Sequence, residues 1–257
     1  MRFKTLPAVL ICLIFCVFPL NAHSGEVLYQ YSTIDSLLAG VYDGQLTMRE
    51  LKEQGNLGLG TFNALDGEMV VLDGKVYQVP FDGKVIQVPD HGKTPFAAVT
   101  AFTPKIFAPI KQAASLAELI KSLDQALPTK NIFYALKIEG RFSQVKARSV
   151  PRQQRPYQPL AKVVEKQAVF TFNDVEGTMV GFRCPVFAKG VNVPGYHLHF
   201  LTKDRTQGGH VLDCKVENLT VQVDPTHKLI LVLPADQEFY HLDLDKDKSG
   251  ELKKVEK

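Results

Sequence analysis

Three Asp-Gly pairs in the first third of the chain constrain its fold more than any other feature. They lie at residues 66–67, 73–74 and 82–83, and the runs between them, Met69–Leu72 and Val76–Val79, consist mainly of strand-favouring residues. Asp-Gly is a preferred tight turn because both residues tolerate the positive φ angles that such turns need. Short strands separated by these turns predict an antiparallel meander.

Helices are few in the predicted fold. Capping-box spacing at Thr47–Glu50 and at Ser115–Glu118 predicts two short helices, and a further helical pattern follows Ser32. Strand-like runs are more numerous, and they occupy Ile132–Val150, Ala168–Asn173, Gly177–Phe182, Tyr196–Thr202, His210–Cys214, Leu219–Val223 and Leu229–Leu233. The sequence therefore predicts a mixed α/β fold dominated by strands.

The N-terminus has the layout of a secretory signal peptide. Arg2 and Lys4 precede an apolar stretch at residues 6–20, and small residues follow at Ala22 and Ser24. We expect residues 1–24 to be removed on export to the periplasm or the extracellular space. The stretch is short for a membrane span, which needs about 20 residues, although a retained anchor is the alternative.

The mature chain is nearly neutral, and a boundary is predicted near its middle. Loss of Arg2 and Lys4 lowers the formal net charge from +3 to about +1, so we expect no nucleic-acid partner. A stretch rich in Pro, Gln and Arg at residues 151–162 predicts a boundary between a domain at 25–150 and a domain at 151–257. No membrane partner is expected after cleavage.

The most informative motif for function is the run GYHLHFLTKDRTQGGH, residues 195–210. Side chains alternate along a strand, so His197 and His199 lie on one face. The polar segment that ends in Gly208-Gly209 predicts a hairpin turn, and folding back would bring His210 towards the first two histidines. Three neutral imidazoles with a fourth position open are the ligands of a catalytic zinc site, and three unrelated strand histidines are the alternative.

The C-terminal tail fits a second metal pattern. Residues 245–256 match the spacing of a twelve-residue calcium loop, with oxygen-bearing residues at positions one, three and five, Gly250 at position six and Glu256 at position twelve. A solvated, charged tail is the alternative. Two cysteines of the mature chain, Cys184 and Cys214, could form a disulfide in an exported protein, and the sequence does not decide whether they do.

Three segments together resemble one enzyme family. GTFNALDGEMVVLDG at 60–74, VKARSVPRQ at 145–153 and GYHLHFLTKDRTQGGHVLD at 195–213 are similar to motifs of bacterial alpha-acetolactate decarboxylases. The resemblance extends over nearly the whole mature chain. It implies a carboxy-lyase that converts 2-acetolactate to acetoin and CO₂ in acetoin and butanediol metabolism, with Zn²⁺ as cofactor and a homodimer as the assembly.

The resemblance also implies roles for particular residues. The implied metal ligands are His197, His199 and His210, and the implied catalytic residues are Glu68, Arg148 and Glu256. A zinc-bound enediolate would be protonated stereospecifically by a glutamate, and the sequence leaves open which glutamate donates. Glu251 is an alternative to Glu256, and Thr61 is a candidate supporting residue. We expect none of the remaining histidines His91, His227 and His241 to bind the catalytic metal.

The expected architecture places the site between two parts. The N-terminal part would carry a large mixed sheet with few short helices, and the C-terminal part a smaller curved or barrel-like sheet with the histidines. Three other functions remain open on the residues alone: a different three-histidine zinc enzyme such as a hydratase, a cupin-like enzyme, and a non-enzymatic periplasmic metal carrier.

Overall fold

The computed structural model describes residues 26–256, and the predicted signal peptide lies outside this range. The strands are β1 (Val27–Tyr31), β2 (Leu46–Thr47), β3 (Leu57–Thr61), β4 (Glu68–Leu72), β5 (Lys75–Val79), β6 (Ile86–Gln87), β7 (Lys93–Thr94), β8 (Ala97–Thr100), β9 (Ile106–Ala113), β10 (Phe133–Ser149), β11 (Ala168–Cys184), β12 (Gly195–Thr202), β13 (Gly208–Thr226) and β14 (Lys228–Val232). The helices are α1 (Ile34–Leu38), α2 (Met48–Gln54), α3 (Leu116–Ala126), α4 (Leu160–Val163), α5 (Gln237–Tyr240) and α6 (Ser249–Val255). Among these described helices, none has the length and apolar character needed to span a bilayer.

The larger sheet has seven strands in the order β14-β1-β8-β3-β4-β5-β6. The predicted meander is confirmed, because β3, β4, β5 and β6 are consecutive antiparallel neighbours. Asp73 and Gly74 join β4 to β5 with φ angles of 52° and 73°, the left-handed geometry that a two-residue hairpin requires. Since β1 and β14 pair in parallel, the sheet as a whole is mixed.

The second sheet is a small barrel. Its strand order is β10-β11-β12-β13-β9, and an additional pairing of β10 with β13 closes β10, β11, β12 and β13 into a ring. The expected curved, barrel-like sheet is therefore confirmed. In two places, a pair of predicted strands is one continuous strand. Residues 168–173 and 177–182 are both parts of β11, and residues 210–214 and 219–223 are both parts of β13.

The two sheets exchange strands across the middle of the chain. β9 and β10 precede residue 151 and belong to the barrel, whereas β14 follows it and belongs to the seven-stranded sheet. The division into domains at 25–150 and 151–257 therefore stays a prediction that each range folds as a unit.

The alternation of apolar residues along β4 determines which face of the sheet Glu68 occupies. Val70 and Leu72 pack in the cluster shared with the barrel, whereas Met69 and Val71 pack on the opposite face with α2. Glu68 has the same parity as Val70 and Leu72, so its side chain lies on the barrel side of the sheet. A buried carboxyl group is thereby placed at the junction of the two sheets.

The segment after β14, residues 233–256, is named the tail here. It contains α5 and α6 and belongs to neither sheet. Leu252 and Val255 of α6 are buried in a cluster with Ile34 of α1 and Leu160 of α4. Apolar packing of one short helix therefore fixes the end of the tail against the body of the protein.

Candidate metal centre and active site

The predicted site residues on the barrel occupy neighbouring positions on three strands. His199 of β12 is paired with His210 of β13, and His210 is paired on its other side with Arg148 of β10. Directly paired residues of adjacent strands project their side chains on the same face. His197 lies two residues before His199 and shares this face. The structure thus brings the three histidines together, as the spacing predicted.

The predicted hairpin between β12 and β13 forms, and its turn lies in the predicted polar segment, ahead of the two glycines. The turn occupies residues 203–206, and Gly208 and Gly209 begin β13. A Cβ at residue 208 would lie 2.3 Å from the carbonyl oxygen of Phe200, and one at residue 209 would lie 2.5 Å from that of Arg148. The two glycines are therefore explained by close approach of strand backbones.

The histidine nitrogens have the spacing of a tetrahedral metal site. Nε2 of His197 lies 3.2 Å from Nε2 of His199 and 3.2 Å from Nδ1 of His210, and the last two atoms are 3.3 Å apart. Zinc–nitrogen bonds of about 2.0–2.1 Å place two tetrahedral ligands about 3.3 Å apart. These three side chains could therefore hold one metal ion.

Burial keeps the imidazoles in the form that binds metals. Desolvation lowers the pKa of His197 to about 3 and the pKa values of His199 and His210 well below the usual value, and the Arg148 guanidinium adds to each shift. Nδ1 of His199 lies 2.7 Å from the carbonyl oxygen of Met69. That contact favours the tautomer with a proton on Nδ1 and a free lone pair on Nε2.

Glu68 and Arg148 form a buried ion pair beside the histidines. Nη1 of Arg148 donates to Oε1 of Glu68 at 3.0 Å, and Oε2 of Glu68 lies 3.6 Å from Nε2 of His199. Burial raises the pKa of Glu68 to about 7, although Arg148 opposes the shift and Glu256 adds to it. Thr61 is paired with Glu68 in the sheet and donates to the carbonyl oxygen of Gly67 at 2.7 Å, so it stabilises the turn before Glu68.

The tail supplies the second carboxyl group. Oε2 of Glu256 lies 3.8 Å from Nε2 of His210, and Nη2 of Arg148 donates to the carbonyl oxygen of Val255 at 3.2 Å. Burial raises the pKa of Glu256 to about 7. Glu251 instead faces Lys248 at 3.8 Å and is partly exposed. The carboxyl group at position twelve of the calcium-loop pattern thus lies beside the histidines.

The site includes an apolar wall that sequence reasoning missed. One cavity is lined by the three histidines, Glu68, Arg148 and Glu256, and its other lining side chains are largely aliphatic or aromatic. These apolar residues are Ile34, Leu37, Leu65, Phe96, Val150, Leu160 and Val255. Each reads as an ordinary core residue in the sequence, and only their convergence from separate elements identifies them as part of the site.

The remaining histidines and the two cysteines lie elsewhere. His91, His227 and His241 are exposed and lie outside the histidine cluster. Cys184 and Cys214 are free and buried, the first in the cluster between the sheets and the second in the barrel core. Burial raises the pKa of both thiols to about 12.

Comparison with known proteins gives a consistent result. The family model described as alpha-acetolactate decarboxylase matches residues 28–246, a range that stops before α6 and Glu256. An alpha-acetolactate decarboxylase of Methanosarcina mazei is 50% identical over 238 residues, which cover 93% of this chain and 83% of that protein. One from Brevibacillus brevis is 44% identical and covers 92% of this chain and 83% of that protein.

Solved structures agree with the sequence relatives. The crystal structure of alpha-acetolactate decarboxylase from Bacillus subtilis strain 168 superposes with a TM-score of 0.87 at 38% identity, covering 90% of this chain and 99% of that chain. A Staphylococcus aureus protein described as similar to alpha-acetolactate decarboxylase gives a TM-score of 0.85 at 34% identity, covering 89% and 99%. The chain therefore belongs to the alpha-acetolactate decarboxylase family, a family of carboxy-lyases.

Proposed function

We propose that this protein decarboxylates 2-acetolactate to acetoin and CO₂, with a zinc ion held by His197, His199 and His210. Membership of the family supports the reaction. The observation that carries the proposal is that the three histidines share one cavity with the buried Arg148 and Glu68 and the partly buried Glu256. A metal carrier would have no need of a permanent cation and two carboxyl groups beside its ion.

The three imidazole ligands suit a divalent ion that stabilises negative charge on substrate oxygens. Three neutral imidazoles leave the full double charge on the ion, and a Lewis acid of that charge offsets negative charge that develops on the hydroxyl and ketone oxygens of the substrate. His197, His199 and His210 would provide the three protein ligands, with Nδ1 rather than Nε2 used by His210.

Arg148 is proposed to bind the substrate carboxylate or the oxygen that becomes negative. Loss of CO₂ breaks the bond between the carboxylate carbon and the hydroxyl-bearing carbon, and its electron pair moves into the neighbouring ketone to give an enediolate. Among the described residues, Nε of Arg148 has no hydrogen-bond partner although it is buried. A guanidinium in a low-dielectric pocket stabilises such an anion more strongly than it would in water.

Glu256 is proposed to donate the proton that completes acetoin. Glu68 accepts a hydrogen bond from Arg148, which favours its ionised form. Glu256 has no such bond to a cation among the described residues, and this contact distinguishes the two groups, since burial raises the pKa of both to about 7. Delivery from one side of a planar enediolate would set the configuration of the new stereocentre.

The reaction is tested by giving the purified mature protein racemic acetolactate and following acetoin and CO₂. Turnover should depend on metal: a chelator should abolish it and zinc should restore it. A folded, zinc-loaded protein without turnover would contradict the proposed function and favour a hydratase or a metal carrier.

The glutamate assignment is tested with Glu256→Gln and Glu68→Gln. Glu256→Gln should lower kcat by about 10²–10⁴-fold, the usual contribution of a general acid. Residual acetoin should lose its enantiomeric excess because solvent then protonates the enediolate. Acetoin of unchanged enantiomeric purity from Glu256→Gln would transfer the role to Glu68 or to another group.

Export and assembly are proposed on separate grounds. The charged start, short apolar stretch and small residues of segment 1–24 support export. The family resemblance supports a homodimer. Mass spectrometry of the protein recovered from outside the cytoplasm would give the cleavage site, and light scattering of that material would give its mass. An intact N-terminus or a monomeric mass would contradict the respective proposal.

A further inference from the structure

The site residues differ in their contact with solvent. The side chains of Glu68, Arg148, His199 and His210 are 8%, 5%, 1% and 2% exposed, whereas that of Glu256 is 19% exposed. The apolar wall is also closed, since each of its seven residues is buried. Solvent therefore reaches this pocket on the side of Glu256.

A surface groove begins on the same side. It lies between α6 and the segment that leads into β12, and its volume is about 320 Å³. Its lining includes Val186, Val193 and Tyr196 on one side and Leu252, Lys253 and Glu256 on the other. By contrast, the cavity at the histidines is much smaller, with a volume of about 30 Å³.

A small inner cavity shares lining residues with both the groove and the histidine pocket. Tyr196 and Glu256 line both the groove and this inner cavity. His197, His210 and Glu256 line both the inner cavity and the histidine pocket. Glu256 thus lines all three spaces, and its side chain separates the groove from the histidine pocket.

The two walls of the groove differ in how firmly they are held. Tyr196 belongs to β12, and its hydroxyl donates to Oδ1 of Asp124 at 2.8 Å. Opposite it, Glu256 follows the short helix α6, which lies outside both sheets. A shift of the end of α6 can widen the passage while the histidine strands stay in place.

The charge of the groove matches a carboxylate substrate. Lys189 and Lys253 line it, but Lys189 is 2.9 Å from Asp247 in an ion pair. Lys253 forms no ion pair with any residue in the range 26–256. Its neighbour Lys254 is equally exposed and does not line the groove.

We propose that the groove between α6 and β12 is the entrance through which acetolactate reaches the histidine pocket, and that Lys253 attracts its carboxylate there. The proposal rests on the proposed function for the identity of the substrate. Lys253 is a steering residue in this scheme and contacts no reacting atom. A cation beside a narrow entrance raises the local concentration of an anionic substrate, and salt screens the effect.

The experiment compares Lys253→Glu with Lys254→Glu in the zinc-loaded, full mature protein. Both variants make the same charge change on adjacent exposed residues of one helix. Lys253→Glu should lower kcat/KM for acetolactate by about fivefold at about 10 mM ionic strength, and the loss should shrink below about twofold at 0.5 M salt. Lys254→Glu should stay within about twofold of wild type throughout, and kcat should be unchanged in both.

Two results would contradict the proposal that the groove is the entrance. Equal kcat/KM in the two variants would show that the groove does not guide the substrate. A lowered kcat in Lys253→Glu would place its effect on Glu256 rather than on entry. Absence of turnover by the wild-type protein would contradict the proposed function instead, so the two failures are distinguishable.

Discussion

The barrel and the tail both bring side chains to one pocket, but they hold them differently. His199, His210 and Arg148 lie on strands that are hydrogen-bonded to neighbours on both sides. Glu256 follows a short helix held by the buried side chains Leu252 and Val255 and by the hydrogen bond from Arg148 to the carbonyl oxygen of Val255. We therefore expect the barrel to open at a higher free-energy cost than the tail, which should detach locally.

This difference separates two functions of the site. In the proposed function, metal binding would depend on side chains that the barrel holds in register, and proton donation would depend on Glu256, whose helix lies outside both sheets. We therefore expect changes in the barrel to abolish both functions, and changes in the tail to reduce turnover while metal binding persists.

The largest effect is expected from His199→Ala. Loss of one of three ligands should release the metal and lower turnover by at least about 10³-fold, because the charge that stabilises the reacting oxygens is lost. Metal content by plasma mass spectrometry and acetoin formation would be measured together. His227→Ala, at an exposed histidine, is the matched control. Full metal content in His199→Ala would refute the assignment of this ligand.

Deletion of residues 249–257 is expected to have the next largest effect. It removes α6 and Glu256, so turnover should fall by about 10²–10⁴-fold through loss of the acid. Neither sheet contains these residues, so the protein should fold and retain its metal. If the deleted protein lost its metal as well, the two parts of the site would not be separable.

Leu252→Ala should produce a smaller effect that is specific to the tail. Truncation of this buried side chain should weaken docking of α6 by about 2–3 kcal/mol. Hydrogen exchange should accelerate in residues 249–255 and stay unchanged in β12 and β13. The exposed Lys254→Ala is the control on the same helix. Equal acceleration in the barrel strands would indicate that tail and barrel unfold as one unit.

Arg155→Ala should have the smallest effect of the series. Arg155 forms an ion pair with Glu238 of α5 and another with Asp43 at 2.6 Å, but its side chain is 57% exposed. Exposed pairs contribute about 0.2–1 kcal/mol, so the unfolding free energy should change by less than about 1 kcal/mol and turnover by less than about twofold. A larger loss of turnover, measured in low and high salt, would indicate that α5 also positions Glu256.

Local patterns predicted the barrel part of the site better than the rest. Alternation along a strand was enough to place His197 and His199 on one face, and a hairpin was enough to bring His210 to them. Gly208 and Gly209, at the end of the polar segment, lie outside the turn, because they allow close backbone contact with β12 and β10.

Glu68, Arg148 and Glu256 were found only through the family resemblance. In the sequence Glu68 is a residue after a tight turn, and its position beside His199 depends on how two sheets pack. Closure of the barrel by β10 and β13 likewise joins strands that are far apart in sequence. Such long-range packing leaves no periodic signal in either segment.

The pairing of His199, His210 and Arg148 across three strands has a consequence for maturation. A slip of one residue in either pairing would turn the slipped side chains to the opposite face of the barrel. If the three histidines hold the proposed ion, a nascent chain would acquire it only after the strands have joined in correct register. Metal uptake would then mark the end of correct folding, and misregistered chains would stay metal-free.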